Sequence, residues 1–192
     1  MSDTTPTPGI YRIELGASTV EFTTTHLFGL GKVAGKLTID AGGIAVATTP
    51  TASTVSLTVP TFSFDTGNSS RDKAVTSKRF LDATRHPVIS FASSELQQDG
   101  DHGLLTGDLT LRGVSTPLDV RIDEAVCEGS SFTATATGVV DRYDPGVTKV
   151  KGVAGRRLEF AVTIHARNDA DRGVSPDGSS FAEPSHNKES AP

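Results

Sequence analysis

The sequence predicts an all-β fold: an eight-stranded antiparallel barrel with one short helical segment, about 69–82, near one end. Three observations predict it. Apolar residues recur at every second position in segment after segment. Glycine-centred turn signals separate those segments at short intervals. A single helical start signal interrupts a chain that otherwise keeps period two.

The segments follow in order. Across Ser18–Leu27, Val20, Phe22, Thr24 and His26 share one face, opposite Thr19, Glu21, Thr23 and Thr25. Val55, Leu57 and Val59 alternate with Thr54, Ser56 and Thr58. Leu109 and Leu111 alternate with Asp108, Thr110 and Arg112, and Leu118, Val120 and Ile122 with Asp119, Arg121 and Asp123. Phe132, Ala134 and Ala136 alternate with Thr133 and Thr135. Leu158, Phe160, Val162 and Ile164 alternate with Glu159, Ala161, Thr163 and His165. Strict alternation marks antiparallel strands with one dry and one wet face. Threonine and valine supply the β-propensity. Turn signals divide the strands, from Gly29 and Gly31 through Asp99-Gly100-Asp101 and Gly129 to Asp144-Pro145-Gly146 and Gly155. About eight strands of similar length suit a meander. A sheet of that size curls or closes, and closure removes its edges.

The helical interruption begins at Ser69-Ser70-Arg71-Asp72. Ser69 is expected as the N-cap, with Asp72 at the third helical position, where an acid also favours the positive end of the helix dipole. Ala74, Val75, Phe80 and Leu81 form a broken apolar stripe, and His86-Pro87 ends the segment. Such a helix plugs one barrel end or packs as a plain outer connection.

The 192 residues suffice for one domain with a real core, although only 35% are hydrophobic. Part of the shortfall lies at the ends. Residues 1–9 and 168–192 are rich in Ser, Pro, Asp and Gly and are expected to be a disordered arm and a disordered tail, leaving 10–167 as the barrel domain. The net charge of −5 comes from mixed signs without a basic stripe, which argues against nucleic acid as a partner. No stretch approaches ~18 consecutive apolar residues, so no transmembrane segment is expected, and without an apolar leader the cytoplasm is the expected location. The single cysteine, Cys127, forms no internal disulfide and reads as a small strand-end residue. A homodimer is compatible with the sequence.

Chemistry is sparse. No two of His26, His86, His102, His165 and His186 stand at metal-ligand spacing, so no metal and no cofactor is expected. His102 reads as a solvated turn residue and His165 lies on the wet face. His26 shares the apolar face with Phe22, as a satisfied core residue or as a polar group near a pocket. No nucleophile elbow and no phosphate loop is present. Asp141 and Asp144 flank Arg142-Tyr143 in what reads as a turn. No catalytic residue is assigned and the chain is not expected to be an enzyme.

Four motif groups carry a family resemblance. The first is Tyr11-Arg12-Ile13, Ser18 through Phe22, His26 and Val33 through Leu37. The second runs from Asn68 to Phe91 and holds Arg71-Asp72, Val75, Ser77, Phe80-Leu81-Asp82, His86-Pro87 and Ile89. The third is Gly107 through Val114 with Pro117-Leu118, and the fourth is Arg142 through Val147. In this order they resemble the YceI-like, polyisoprenoid-binding family over about residues 10–165. The chain departs at Ala74-Val75, where members commonly carry His-Leu, and at Tyr143 and Pro145, where a phenylalanine is usual. The resemblance implies a lipocalin-like barrel with a long apolar lumen and a bound isoprenoid, quinone tail or fatty acyl derivative. It implies lipid binding for transport, storage or sequestration, without catalysis. Family members are often exported.

The residues agree on where binding energy would arise, since an eight-stranded barrel holds one elongated ligand. The expected lumen wall is Val20, Phe22, Val55, Leu57, Leu109 and Leu111, continued by Leu118, Val120, Phe132, Phe160 and Val162. Many are small or medium, and the chain has no Trp, which leaves room inside. Phe80 and Leu81 are expected to pack the helix onto the barrel end and touch the ligand there. Arg142 is the first candidate for a polar head at the mouth and His26 the second. Arg71 is expected to pair with an acid. Two other readings stay open: a stress-related structural or interaction barrel without lipid, and a lipid-modifying enzyme using His26 with an acid.

Overall fold

The alternating segments become strands of one antiparallel sheet that curls back onto itself. The computed structural model describes residues 6–26, 31–99, 102–149 and 154–172. In chain order the strands are β1 (Gly9–Ile13), β2 (Thr19–His26), β3 (Gly31–Leu37), β4 (Ala41–Val46) and β5 (Thr54–Pro60). Helix α1 (Ser69–Thr76) follows. Then come β6 (Val88–Asp99), β7 (His102–Leu111), β8 (Val114–Glu128), β9 (Ser131–Asp141) and β10 (Ala154–Asn168).

Eight strands form a closed ring, β1-β4-β5-β6-β7-β8-β9-β10, because β1 pairs with both β4 and β10. The fold is therefore the eight-stranded antiparallel barrel with one short helix. The remaining hairpin, β2–β3, extends the wall alongside the first half of β10. One strand thus serves two partners: Leu158–Thr163 face β2, and Ala166–Asn168 face β1. Ser18 makes this change of partner possible. The buried side chain sits at the kink between β1 and β2, where its Oγ accepts from the His165 amide at 3.0 Å and donates to the His165 carbonyl. With 15 residues, β10 is about 50 Å long at ~3.3 Å per residue, and that length sets the reach of the interior.

Helix α1 departs from the sequence expectation in three ways. It ends at Thr76, and the segment to Arg85 continues as turns instead of helix to 82. The N-cap is Asn68, not Ser69; its Oδ1 accepts from the Arg71 amide at 3.0 Å. Asp72 then lies one position beyond a capping box. Its Oδ1 instead accepts from the Thr66 amide at 3.1 Å and the Thr66 hydroxyl at 2.6 Å, tying the helix to the chain before it. Asparagine caps as well as serine, so residue type gives Ser69 no advantage over Asn68.

The buried core gathers in three places. Tyr11, Ile13, Val20, Ile39, Ile44 and Phe132 pack where β1 hands over to β2. Leu105, Leu118 and Val120 pack in the opposite wall. Leu81, Leu111 and Val147, with Val75 and Phe80 against them, seal the end under α1. Strand β10 runs to Asn168, and a 3-10 turn follows at Asp169–Arg172. The rest of the expected tail, 173–192, and residues 1–5 of the expected arm lie outside the described residues, as does His186.

Candidate functional site

Inward side chains of the ring enclose one continuous cavity of about 1460 Å³ that runs from α1 to the opposite barrel end. Ordinary small-molecule pockets occupy about 300–1,000 Å³. The cavity exceeds that range because its wall is built from short side chains and backbone. Gly35, Gly107 and Gly138 stand where a β-carbon would overlap Phe22, Phe91 and Phe160 respectively. Phe22 pairs with Gly35 on β3 and with Phe160 on β10, and Phe160 pairs with Gly138 on β9. The two phenylalanines therefore fold down over glycines on either side instead of filling the lumen. Val55, Leu57, Ala134, Ala136 and Val162 remain half-buried because their inner faces border the cavity.

Each residue expected in the lumen wall lines this cavity: Val20, Phe22, Val55, Leu57, Leu109 and Leu111, then Leu118, Val120, Phe132, Phe160 and Val162. Phe80 lines it at the helix end, with Leu81. His26 is the last residue of β2, opposite Gly31 and Ala154, but its side chain lies outside the described residues. Several wall residues escaped the alternation, among them Ile13, Val33, Ile44, Phe64, Ile89 and Phe91. Phe64 was the hardest to find: it belongs to no strand and reaches the wall by stacking on Phe22 at 4.8 Å between ring centres.

Polar groups occupy the two ends. At the helix end Arg142 lines the cavity, but its guanidinium serves the turn that carries it. Nε donates to the Gly155 carbonyl at 2.6 Å, and one terminal nitrogen donates to the carbonyls of Val147 and Lys149. Burial pulls its pKa below the ordinary arginine value, and Tyr143 and Asp141 partly offset this. Tyr143 lies against it at 4.9 Å, and Arg156 covers the same ring at 5.1 Å. The expected headgroup contact is thus first a structural clamp on the 142–149 turn. Neither Tyr143 nor Pro145 borders the cavity, whereas Ala74 and Val75 do.

Arg71 reverses expectation in the other direction. It lines the cavity from α1, half-buried, and no acid lies within ion-pair distance among the described residues. Its position after the N-cap gave no sign of this, because whether a carboxylate faces it depends on the fold. Arg71 is therefore a cavity-lining cation at this mouth that faces no acid among the described residues.

At the opposite end the lining includes Gln97, Gln98, His102, Asp123 and Glu124. His102 is not a solvated turn residue. It opens β7, where its Nε2 lies 2.7 Å from an Arg121 guanidinium nitrogen and its buried Nδ1 has no hydrogen-bond partner among the described residues. His165 points outward to the Thr133 hydroxyl at 3.0 Å. Among the described residues no group of three or more His, Cys, Asp or Glu side chains could hold a metal. No helix among them is long and apolar enough to cross a membrane.

The arrangement is a long apolar container with polar ends, and its sequence pattern decides the lineage. The family model for the YceI-like domain matches residues 11–168. The chain belongs to the YceI-like family. A UPF0312 protein of Pectobacterium carotovorum is 34% identical over 120 residues, covering 60% of this chain. The chain spans 62% of the length of that relative. A UPF0312 protein of Shewanella is 31% identical over 157 residues, 77% of this chain and 80% of its own. Among solved structures, Burkholderia cenocepacia BcnA superposes with a TM-score of 0.72 at 18% identity, covering 80% of this chain and 98% of its own. A polyisoprenoid-binding domain from Saccharophagus degradans gives 0.61 at 12% identity, covering 82% and 98%. At such identities the superpositions speak to the fold, a YceI-like barrel.

Proposed function

We propose that this YceI-like barrel binds one long apolar ligand, such as a polyisoprenoid, a quinone tail or a fatty acyl derivative, in its lumen. It would hold the ligand for transport, storage or sequestration, as a binding protein and not an enzyme. The observation that carries this reading is the cavity of about 1460 Å³, lined along its length by aliphatic and phenyl side chains. The polyisoprenoid-binding name of the Saccharophagus neighbour points the same way. Burying each ligand methylene gains ~0.8 kcal/mol, so one five-carbon isoprene unit contributes on the order of 4 kcal/mol before the costs of association. Such a wall discriminates by length and width. Arg71 would attract a negatively charged or strongly polar head to the helix end, with the tail directed toward His102.

Native mass spectrometry of the purified full chain, followed by organic extraction, tests the reading. The expected result is an added mass that extraction converts into a free long-chain lipid. A clean apo mass together with no uptake from a panel of prenyl, quinone and fatty acyl ligands would overturn it.

A further inference from the structure

We propose that the α1 end of the barrel docks on an anionic lipid bilayer, with the cavity mouth facing the membrane. This rests on the reading that the lumen holds a lipid. Charge is sorted between the barrel ends. On the segment that caps the mouth, Lys73, Lys78, Arg79 and Arg85 are exposed beside half-buried Arg71. None of the five forms an ion pair among the described residues; the pairs that do form use Arg12, Lys36, Arg121, Arg156 and Arg167. The acids of the same segment are turned inward: Asp72 onto Thr66, and Asp82 buried. The opposite end has the reverse pattern. There Glu95, Asp99, Glu124 and Glu128 are exposed and form no ion pair among the described residues, while Arg121 is held by Asp123 and Arg12 by Asp169. Among the described residues of this chain of net charge −5, cations without ion pairs therefore gather where the cavity opens beneath α1, and they outnumber exposed Asp144 on the neighbouring 142–149 turn.

Apolar side chains are exposed on that face as well, although Ile10 and Leu15 are exposed elsewhere. Phe62, on the turn leading to α1, is 62% exposed, and Val88 and Val114 stand out at the same end. Exposed Ala74 borders the cavity between them. Cations for phosphate groups around a phenyl ring for the interface are the chemistry of peripheral membrane binding. A lipid could then pass from bilayer to lumen without crossing water.

The test is co-sedimentation of the full chain with vesicles of phosphatidylcholine alone or mixed with phosphatidylglycerol. Binding is expected to the mixed vesicles only and to weaken as salt rises. The K78E/R79E/R85E variant should lose about tenfold or more of that binding, and Phe62→Ser part of it. Neither change touches the cavity wall, so native mass spectrometry should find the lumen ligand retained in both. Equal binding to both vesicle types, no binding to either, or full binding by the triple variant would overturn the proposal. An empty lumen in the wild-type chain would instead count against the lipid-binding reading.

Discussion

The ring of Phe160 lies across the Cα of Gly138, its antiparallel partner on the neighbouring strand, so closely that a β-carbon there would overlap the ring. The absence of a side chain at 138 is what lets a phenylalanine line the lumen without obstructing it. Gly138→Val should force the ring off its rotamer and lower stability by about 1–3 kcal/mol. Chemical denaturation would show this as a shifted midpoint with unchanged slope. An unshifted midpoint would mean that the ring has room elsewhere.

Phe22 and Glu21 are chain neighbours on opposite faces of β2, one 4% exposed and the other at the surface. Phe22→Asp would place a carboxylate in the lumen and should abolish ligand retention in native mass spectrometry. Glu21→Ala should leave retention unchanged. Equal effects at the two positions would contradict a lumenal site.

Arg142→Gln separates clamp from headgroup contact. The change removes hydrogen bonds to the carbonyls of Val147, Lys149 and Gly155 and leaves the buried Val147 carbonyl poorly satisfied. A loss of about 3 kcal/mol is expected by thermal unfolding. Arg71→Gln should leave stability within about 0.5 kcal/mol and weaken binding of anionic-headed ligands alone. Titration with a prenyl phosphate and the matching prenyl alcohol reads the difference.

Asn68→Ala removes the acceptor for the Arg71 amide and should cost about 1 kcal/mol. Hydrogen exchange should quicken across Ser69–Thr76 while β7 through β9 keep their protection. Uniform acceleration over the whole barrel would show that α1 is no separate cap.

Lumenal parity was legible wherever period two ran unbroken, as in Val55 and Leu57 or Phe160 and Val162. It failed where geometry interrupts the period. In β6 a register shift between Ser93 and Glu95 moves the inward positions from Ile89 and Phe91 to Leu96. In β3 and β4 glycines stand in place of apolar residues, since Gly35 and Gly42 give way to Phe22 and Ile13. The helix starts where the sequence predicts but ends at Thr76, and Phe80 and Leu81 continue its apolar stripe through turns. The partners of Arg71 and Arg142 were exchanged in expectation. Sequence spacing says which residues are charged, but the carbonyls that surround Arg142 come from a turn whose path only the fold defines.

Because β10 is the common partner of β1, β2 and β9, the ring has no wall on that side until β10 arrives, and it is the last ring strand to leave the ribosome. Until then the nascent chain is an open sheet whose unpaired margins, β9 on one side and β1 with β2 on the other, await the same segment. Closure joins positions as distant as Tyr11 and Asn168, and such non-local pairing is expected to form late in folding. On the proposed lipid-binding reading, a ligand present at that moment would be enclosed as the wall forms, a route open only before the ring is closed.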